Sequence, residues 1–171
     1  RFPAAVRLNE GVVGTPLVAA GAEWRYAKGT SEPPAAWKTS TFVDSSWAKG
    51  PSGFGYSTDV SELRGILTRL SDMSGGDYGS LYTRAKFSLT SPAALRGLYL
   101  HVLCDDGFVA YLNGQEVARR NMGGAAGTPP GFGDLAASAI EPAWTLLDLA
   151  SYMGFLRTGD AGELDADGHV Y

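Results

Sequence analysis

A chain of 171 residues is about one domain, long enough to bury roughly two-thirds of its unfolded surface. It is 44% hydrophobic and 19% charged, with a net charge of −4 and no Lys/Arg block. That balance argues against a nucleic-acid backbone as partner, and no apolar run approaches the ~20 residues needed to span a bilayer.

The 23 glycines and 9 prolines fall between apolar runs, the punctuation of an all-β domain with many turns. The stretch Leu8–Gly21 (LNEGVVGTPLVAAG) reads as a strand after a loose lead-in. Trp24-Arg25-Tyr26 is a short strand with both aromatic rings on one face. Ser31–Lys38 is a proline-broken loop, and Phe42–Trp47 (FVDSSW) is a turn with aromatic flanks. There Asp44, Ser45 and Ser46 are expected to hydrogen-bond nearby amides, leaving Trp47 to pack back on the sheet. Gly50–Asp59 is irregular, and Glu62–Leu70 fits either a strand or one helical turn, since periodicity does not choose between them. Ser71–Gly79 is a polar loop, and Tyr82–Leu89 alternates as a strand with one apolar and one polar face.

Leu98–Met122 carries the clearest pattern. Leu98–Cys104, Phe108–Leu112 and a run through Val117 are joined by Asp105-Asp106-Gly107 and by Asn113-Gly114. Asn-Gly between apolar runs signals a hairpin, because both central residues of a type I′ turn need positive φ. The segment therefore reads as a three-stranded β-meander. Gly123–Gly133 (GGAAGTPPGFG) is a flexible surface loop, Leu146–Leu149 a further strand or turn, and Ala150–Leu156 the best candidate for a short helix.

Cys104 is the sole cysteine, so no intrachain disulfide and no structural zinc site can form. Its place in an alternating strand makes it a buried core thiol. Arg1-Phe2-Pro3-Ala4 lacks a charged segment leading into an apolar one, so the start reads as a mature or excised boundary. No repeat or linker divides the chain. The expected organisation is one β-sandwich over 1–159 followed by an acidic tail over 160–171.

Four phrases in order, Trp24–Tyr26, Phe42–Trp47, Leu81–Phe87 (LYTRAKF) and Asp105–Arg119 (DDGFVAYLNGQEVAR), resemble the galactose-binding-like jelly-roll superfamily. This includes the sugar-binding domains of β-galactosidase-type glycosidases. The likeness covers roughly residues 22–122 and is nearest to the accessory domains found beside catalytic domains in large bacterial extracellular proteins. It implies an all-β antiparallel jelly-roll and a secreted or cell-surface bacterial setting. The implied partners are a polysaccharide or glycan and the neighbouring domains of the parent protein. Members usually close with a long apolar strand that this chain lacks after Leu156. Either Ile140–Leu149 supplies it or it lies outside the sequence, leaving an exposed sheet edge. In the tail, Glu163-x-Asp165-x-Asp167-Gly168 resembles the opening of a dockerin-type or EF-hand calcium loop, without the acid at position 12.

Sugar binding needs flat aromatic surface beside carboxylates, amides or guanidinium groups. Trp37, Tyr56, Tyr78 and Trp144 sit in loops rich in Gly, Ser or Pro and are the candidate platforms. Trp24, Phe87, Phe108 and Tyr111 sit inside strand patterns and read as core. Adjacent strand-end residues point opposite ways, so Asp105 and Asp106 are not expected to share a substrate proton. One closes the turn, and Asp106 is left to face a ligand, with Arg119 and Asn121 at the end of the third strand as polar partners. Asp59, Asp72 and Asp77 would ligate a structural calcium if the loops flanking Glu62–Leu70 converge; no other cofactor is implied. A glycosidase needs two opposed carboxylates about 5–10 Å apart, and the sequence nominates no such pair. The expectation is a non-catalytic carbohydrate-binding module, with a bracing or protein-interaction domain lacking any small ligand as the alternative.

Overall fold

The computed structural model describes residues 5–9, 16–156 and 161–169, almost all in antiparallel strands and the loops between them. The strands in chain order are β1 (Ala5–Asn9), β2 (Pro16–Val18), β3 (Glu23–Lys28), β4 (Ala48–Pro51), β5 (Phe54–Gly55) and β6 (Thr68–Arg69). They continue as β7 (Ser80–Ser88), β8 (Tyr99–Cys104), β9 (Gly107–Leu112), β10 (Gln115–Arg120), β11 (Ala143–Asp148) and β12 (Ala161–His169). A four-stranded sheet runs β11-β8-β1-β2 and a six-stranded sheet β10-β9-β12-β7-β3-β4, with the short parallel pair β5-β6 beside them.

The main core lies between the two large sheets. In β8 every second residue is buried, so Leu100, Val102 and Cys104 meet Leu81, Ala85 and Phe87 of β7 and Phe108, Ala110 and Leu112 of β9 in one apolar cluster. This alternation is what a sheet with one buried face requires. Trp24 belongs to the same cluster, and Tyr26 packs on it with its ring 5.2 Å from Phe54, as their shared face predicts.

Strand β9 is buried at all six positions, because its other face is covered as well. There a second cluster gathers Trp37, Tyr82, Val109, Tyr111 and Met122 under Phe42 and Trp47. The loop 31–47 lies over the outside of the six-stranded sheet. Arg84, also on that face, is 1% exposed. Its Nε lies 3.3 Å from Asp44 Oδ2, an amino group donates to the Thr39 carbonyl, and the guanidinium sits 5.0 Å over the Phe42 ring. Asp44 thus anchors the loop to the sheet through Arg84, with Arg25 at 3.8 Å, while the turn itself closes by Trp47 N–H to the Asp44 carbonyl. The polar face read from Tyr82–Leu89 is buried at Tyr82 and Arg84 and exposed at Lys86 and Ser88.

The expected meander is corrected in one respect. Strands β9 and β10 do form a hairpin, with Asn113 at φ 51° and Gly114 at φ 86°. Strand β8, however, pairs with β1 and β11 and belongs to the other sheet. Asp105-Asp106 is a corner that carries the chain from one sheet to the other. Gly107 serves close packing there: a Cβ at this position would lie 2.9 Å from the Asn121 carbonyl and from Met122 Sδ.

Further along, Glu62–Leu70 holds both alternatives, a 3-10 turn at Glu62–Arg64 and then β6. Ala150–Phe155 is a run of 3-10 turns, tighter than the helix expected there. Ile140–Leu149 does supply a strand, β11, at the edge of the four-stranded sheet. The stretch read as an acidic tail instead forms β12 between β7 and β9. Its acidic positions Glu163 and Asp165 stand in register with Lys86 and Arg84, and Leu164, Ala166 and Gly168 with Leu112, Ala110 and Phe108. Backbone ladders to β7 on one side and β9 on the other hold an extended strand without a continuous apolar face. Residues 161–169 therefore follow extended backbone, where a calcium loop would wrap around an ion.

Candidate functional site

Because Asp105-Asp106 is a corner, neither residue keeps the strand alternation, and both line the same cleft of about 990 Å³ at one end of the sandwich. One wall is the turn Tyr56–Glu62, with Ser71 and Ser74 beside it; the other is Ala136–Glu141. The expectation that the two aspartates face apart is thus corrected by the bend. Each is only 3% exposed.

Asp106 builds the far wall as well as lining the cleft. Its Oδ1 accepts the Ile140 N–H at 2.8 Å, and its backbone carbonyl accepts from Asn121 Nδ2 at 3.1 Å. Asn121 adopts φ 52° and clips the wall from both sides: Nδ2 also donates to the Ser138 carbonyl, and Oδ1 accepts from Ser138 Oγ at 3.0 Å. Its own carbonyl accepts the Ala137 N–H. Asp106 and Asn121 are therefore brought together, and Asn121 is spent on holding the wall. On the near side, Asp59 Oδ1 accepts from the backbone and hydroxyl of Ser61, both at 2.7 Å, which holds its carboxyl below the usual carboxylate range. Glu62 accepts from Ser57 Oγ. Tyr56 is half-buried, packs on the main core and supplies the cleft's aromatic ring.

The other predicted residues lie elsewhere. Trp37 is buried in the outer cluster, its ring 5.1 Å from Tyr82 and 5.7 Å from Tyr111 in edge-on packing. It is core because the loop carrying it folds down on the sheet. Tyr78 is 6% exposed and donates to Asp72 Oδ1 at 3.0 Å. Burial, and then the Asp72 carboxylate, push its phenol well above the ordinary tyrosine range. Arg119 is held by Glu116, with Nε and one amino nitrogen each 2.9 Å from a carboxylate oxygen. Its remaining donors meet the carbonyls of Gly123 and Thr128. Burial alone would raise the Glu116 carboxyl, but Arg119 and the Gly127 N–H outweigh it and hold it low. Arg119 is a loop clip. Trp144 is 45% exposed on β11, its ring 4.4 Å from His101, and does not line the cleft.

Asp59, Asp72 and Asp77 are not assembled into a metal centre. Asp72 is taken by Lys28 and Tyr78. Among the described residues no group of three or more His, Cys, Asp or Glu side chains is arranged to hold an ion. Sequence reasoning missed Glu62, Asp105 and Glu141. Glu62 lies three residues beyond Asp59 in a recognisable turn, but nothing local links Glu141 to Asp106.

No protein-family model matches the chain, and no curated protein matches it. Among solved structures it is similar to β-glucuronidase from Ruminococcus gnavus, at 13% identity and TM-score 0.44, over 86% of this chain and 20% of that one. The same enzyme in complex with D-glucaro 1,5-lactone gives 12% identity and TM-score 0.45, over 98% and 22%. The chain spans about a fifth of the length of these proteins. A likeness this loose assigns neither fold nor substrate.

Proposed function

We propose that this chain is a non-catalytic glycan-binding module of a larger exported protein, built on the galactose-binding-like jelly-roll plan. The observation that carries the reading is the open cleft of about 990 Å³, where the Tyr56 ring, carboxylates and serine and threonine hydroxyls converge from four separate segments. Aromatic surface with a few placed polar groups is the composition a sugar ring needs. A binding role is supported over catalysis because Asp59, Glu62 and Asp106 already accept hydrogen bonds that shape the cleft walls. Affinity electrophoresis through gels containing soluble polysaccharides tests the reading. Retardation in at least one gel, lost in Tyr56→Ala and kept in Trp144→Ala, is the expected result. Retardation in none, or turnover of an aryl-glycoside by the chain, contradicts it.

A second reading, a bracing domain without a small ligand, is favoured by the exposed Trp144 and Leu146 on edge strand β11. It predicts that Trp144→Ala weakens docking to a neighbouring domain of the parent protein while Tyr56→Ala has no effect.

A further inference from the structure

Among the described residues the two large sheets end in the edge strands β11, β2, β10 and β4. An edge invites a further strand, and proteins blunt it with charge, proline, shortness or a covering loop. Three of these edges are blunted in such ways. β2 is three residues long and begins with Pro16. β4 carries Lys49, paired with Glu23, and ends at Pro51. β10 carries Glu116, Arg119 and Arg120, and Arg119 straps the following loop down by the carbonyls of Gly123 and Thr128. β11 has none of these devices. Its six residues pair with β8 in unbroken register, and Ala143–Leu147 contains neither a charge nor a proline. Trp144 and Leu146 stand exposed on its outer side. The backbone phase follows from the next residue, since the Leu149 N–H donates to the Leu98 carbonyl. By the antiparallel alternation, Thr145 and Leu147 turn their backbone groups to β8, and Trp144, Leu146 and Asp148 turn theirs to the edge.

That edge is complementary to itself. With two copies set antiparallel about a two-fold axis through Thr145, Leu146 of each meets Trp144 of the other. The two residues exchange both backbone hydrogen bonds and form an aliphatic–aromatic cross-strand pair. The Asp148 N–H meets the carbonyl of Pro142, a residue with no N–H of its own to leave unmatched. Asp148 thereby faces proline and Glu141 faces Leu149, so no like charges are opposed. We propose that β11 is a homodimerisation edge, through which two copies of the chain join into one continuous sheet. The contact uses the same patch on both copies, so it closes at the dimer. Ala136–Glu141, the far wall of the cleft, leads directly into β11. The dimer therefore carries one cleft near each end of the joined strands, whatever those clefts bind.

Sedimentation equilibrium of the chain from micromolar to millimolar concentration tests this. The expected mass rises from monomer to dimer and no further, while Leu146→Lys stays monomeric throughout. Leu146 is exposed, so the fold tolerates lysine there, and the change adds the kind of charge that guards other edges. A second measurement reads the register. Thr145 is the one residue of the strand that faces its own copy, as a pair without backbone hydrogen bonds and with Cα atoms about 4.5 Å apart. That separation lies inside the span a disulfide bridges. Under mild oxidation Thr145→Cys should form a covalent dimer, and Leu146→Cys, which faces Trp144, much less. A native chain that is monomeric at every concentration overturns the proposal and leaves the edge to a neighbouring domain of the parent protein. A dimer that survives Leu146→Lys, or that a folded Thr145→Cys variant does not lock, also overturns it. So does assembly beyond the dimer.

Discussion

Replacing Trp37 by alanine removes the keystone of the layer outside the six-stranded sheet. The indole is 3% exposed and packs on Tyr82, Tyr111 and Trp47. Burying a side chain of this size removes about 150–250 Å² from water, and at ~25 cal/mol per Å² that is roughly 4–6 kcal/mol. Compactness of the unfolded chain lowers the figure by about 10–40%, and aromatic-to-alanine changes in cores cost about 3–5 kcal/mol. For a domain of this length each kcal/mol moves the melting temperature by about 2–4 °C. Trp37→Ala should therefore melt roughly 6–20 °C lower by differential scanning calorimetry, with the near-UV circular dichroism of the aromatic cluster diminished. Trp37→Phe should recover part of the loss. A shift below about 2 °C together with loss of glycan binding would refute this packing account and return Trp37 to the binding surface.

Three further outcomes follow from the geometry. Asn121→Ala removes the clip on Ser138 and the donor to the Asp106 carbonyl, so amide exchange at Ala136–Glu141 should accelerate while the β7 and β9 amides keep their protection; uniform acceleration would contradict a local role. Cys104, buried and donating to the Gly107 carbonyl at 3.1 Å, has its thiol pushed up to about 12 by burial and then by Asp105 and Asp106. It should resist iodoacetamide at neutral pH until the protein unfolds, and rapid labelling of native protein would count against its place in the core. Tyr78, raised above its ordinary range, contributes stability that is complete below the unfolded phenol's pKa of about 10. That contribution is lost as pH rises from there through the folded value. Chemical denaturation above pH ~10 should show it in the native chain and much less in Tyr78→Phe.

Much of the fold is written in local patterns. Alternation in Tyr99–Cys104, the Asn113-Gly114 turn and the shared face of Trp24 and Tyr26 follow from period and turn chemistry, and all appear in the structure. Sheet membership does not follow from these. Leu98–Leu112 reads the same whether Asp105-Asp106 closes a hairpin or turns a corner, since both need a short polar break; the choice is made by β1 and β11, distant in sequence. Strand β12 was hidden for a related reason. Its residues are poor strand formers, and only its place between β7 and β9, with a backbone ladder on each side, explains it. The site shows the same division. Asp106, Asn121 and Tyr56 were legible as polar or aromatic residues at strand ends and loops. Trp37, Tyr78 and Arg119 have the same local character, yet each is committed to packing or to a clip by partners remote in sequence or by the folding of its own loop.

The central claim is that the cleft beside the Asp105-Asp106 corner is where a glycan binds. Titrating isotopically labelled protein with an oligosaccharide of the polysaccharide that retards it in affinity gels, while following backbone amide shifts by NMR, tests it most directly. Saturable shifts concentrated at Tyr56–Glu62, Asp105–Asp106 and Ala136–Glu141, with Trp144 and Leu146 still, are the predicted result. Shifts centred on Trp144 and its neighbours on β11, or none anywhere in the chain, would contradict it.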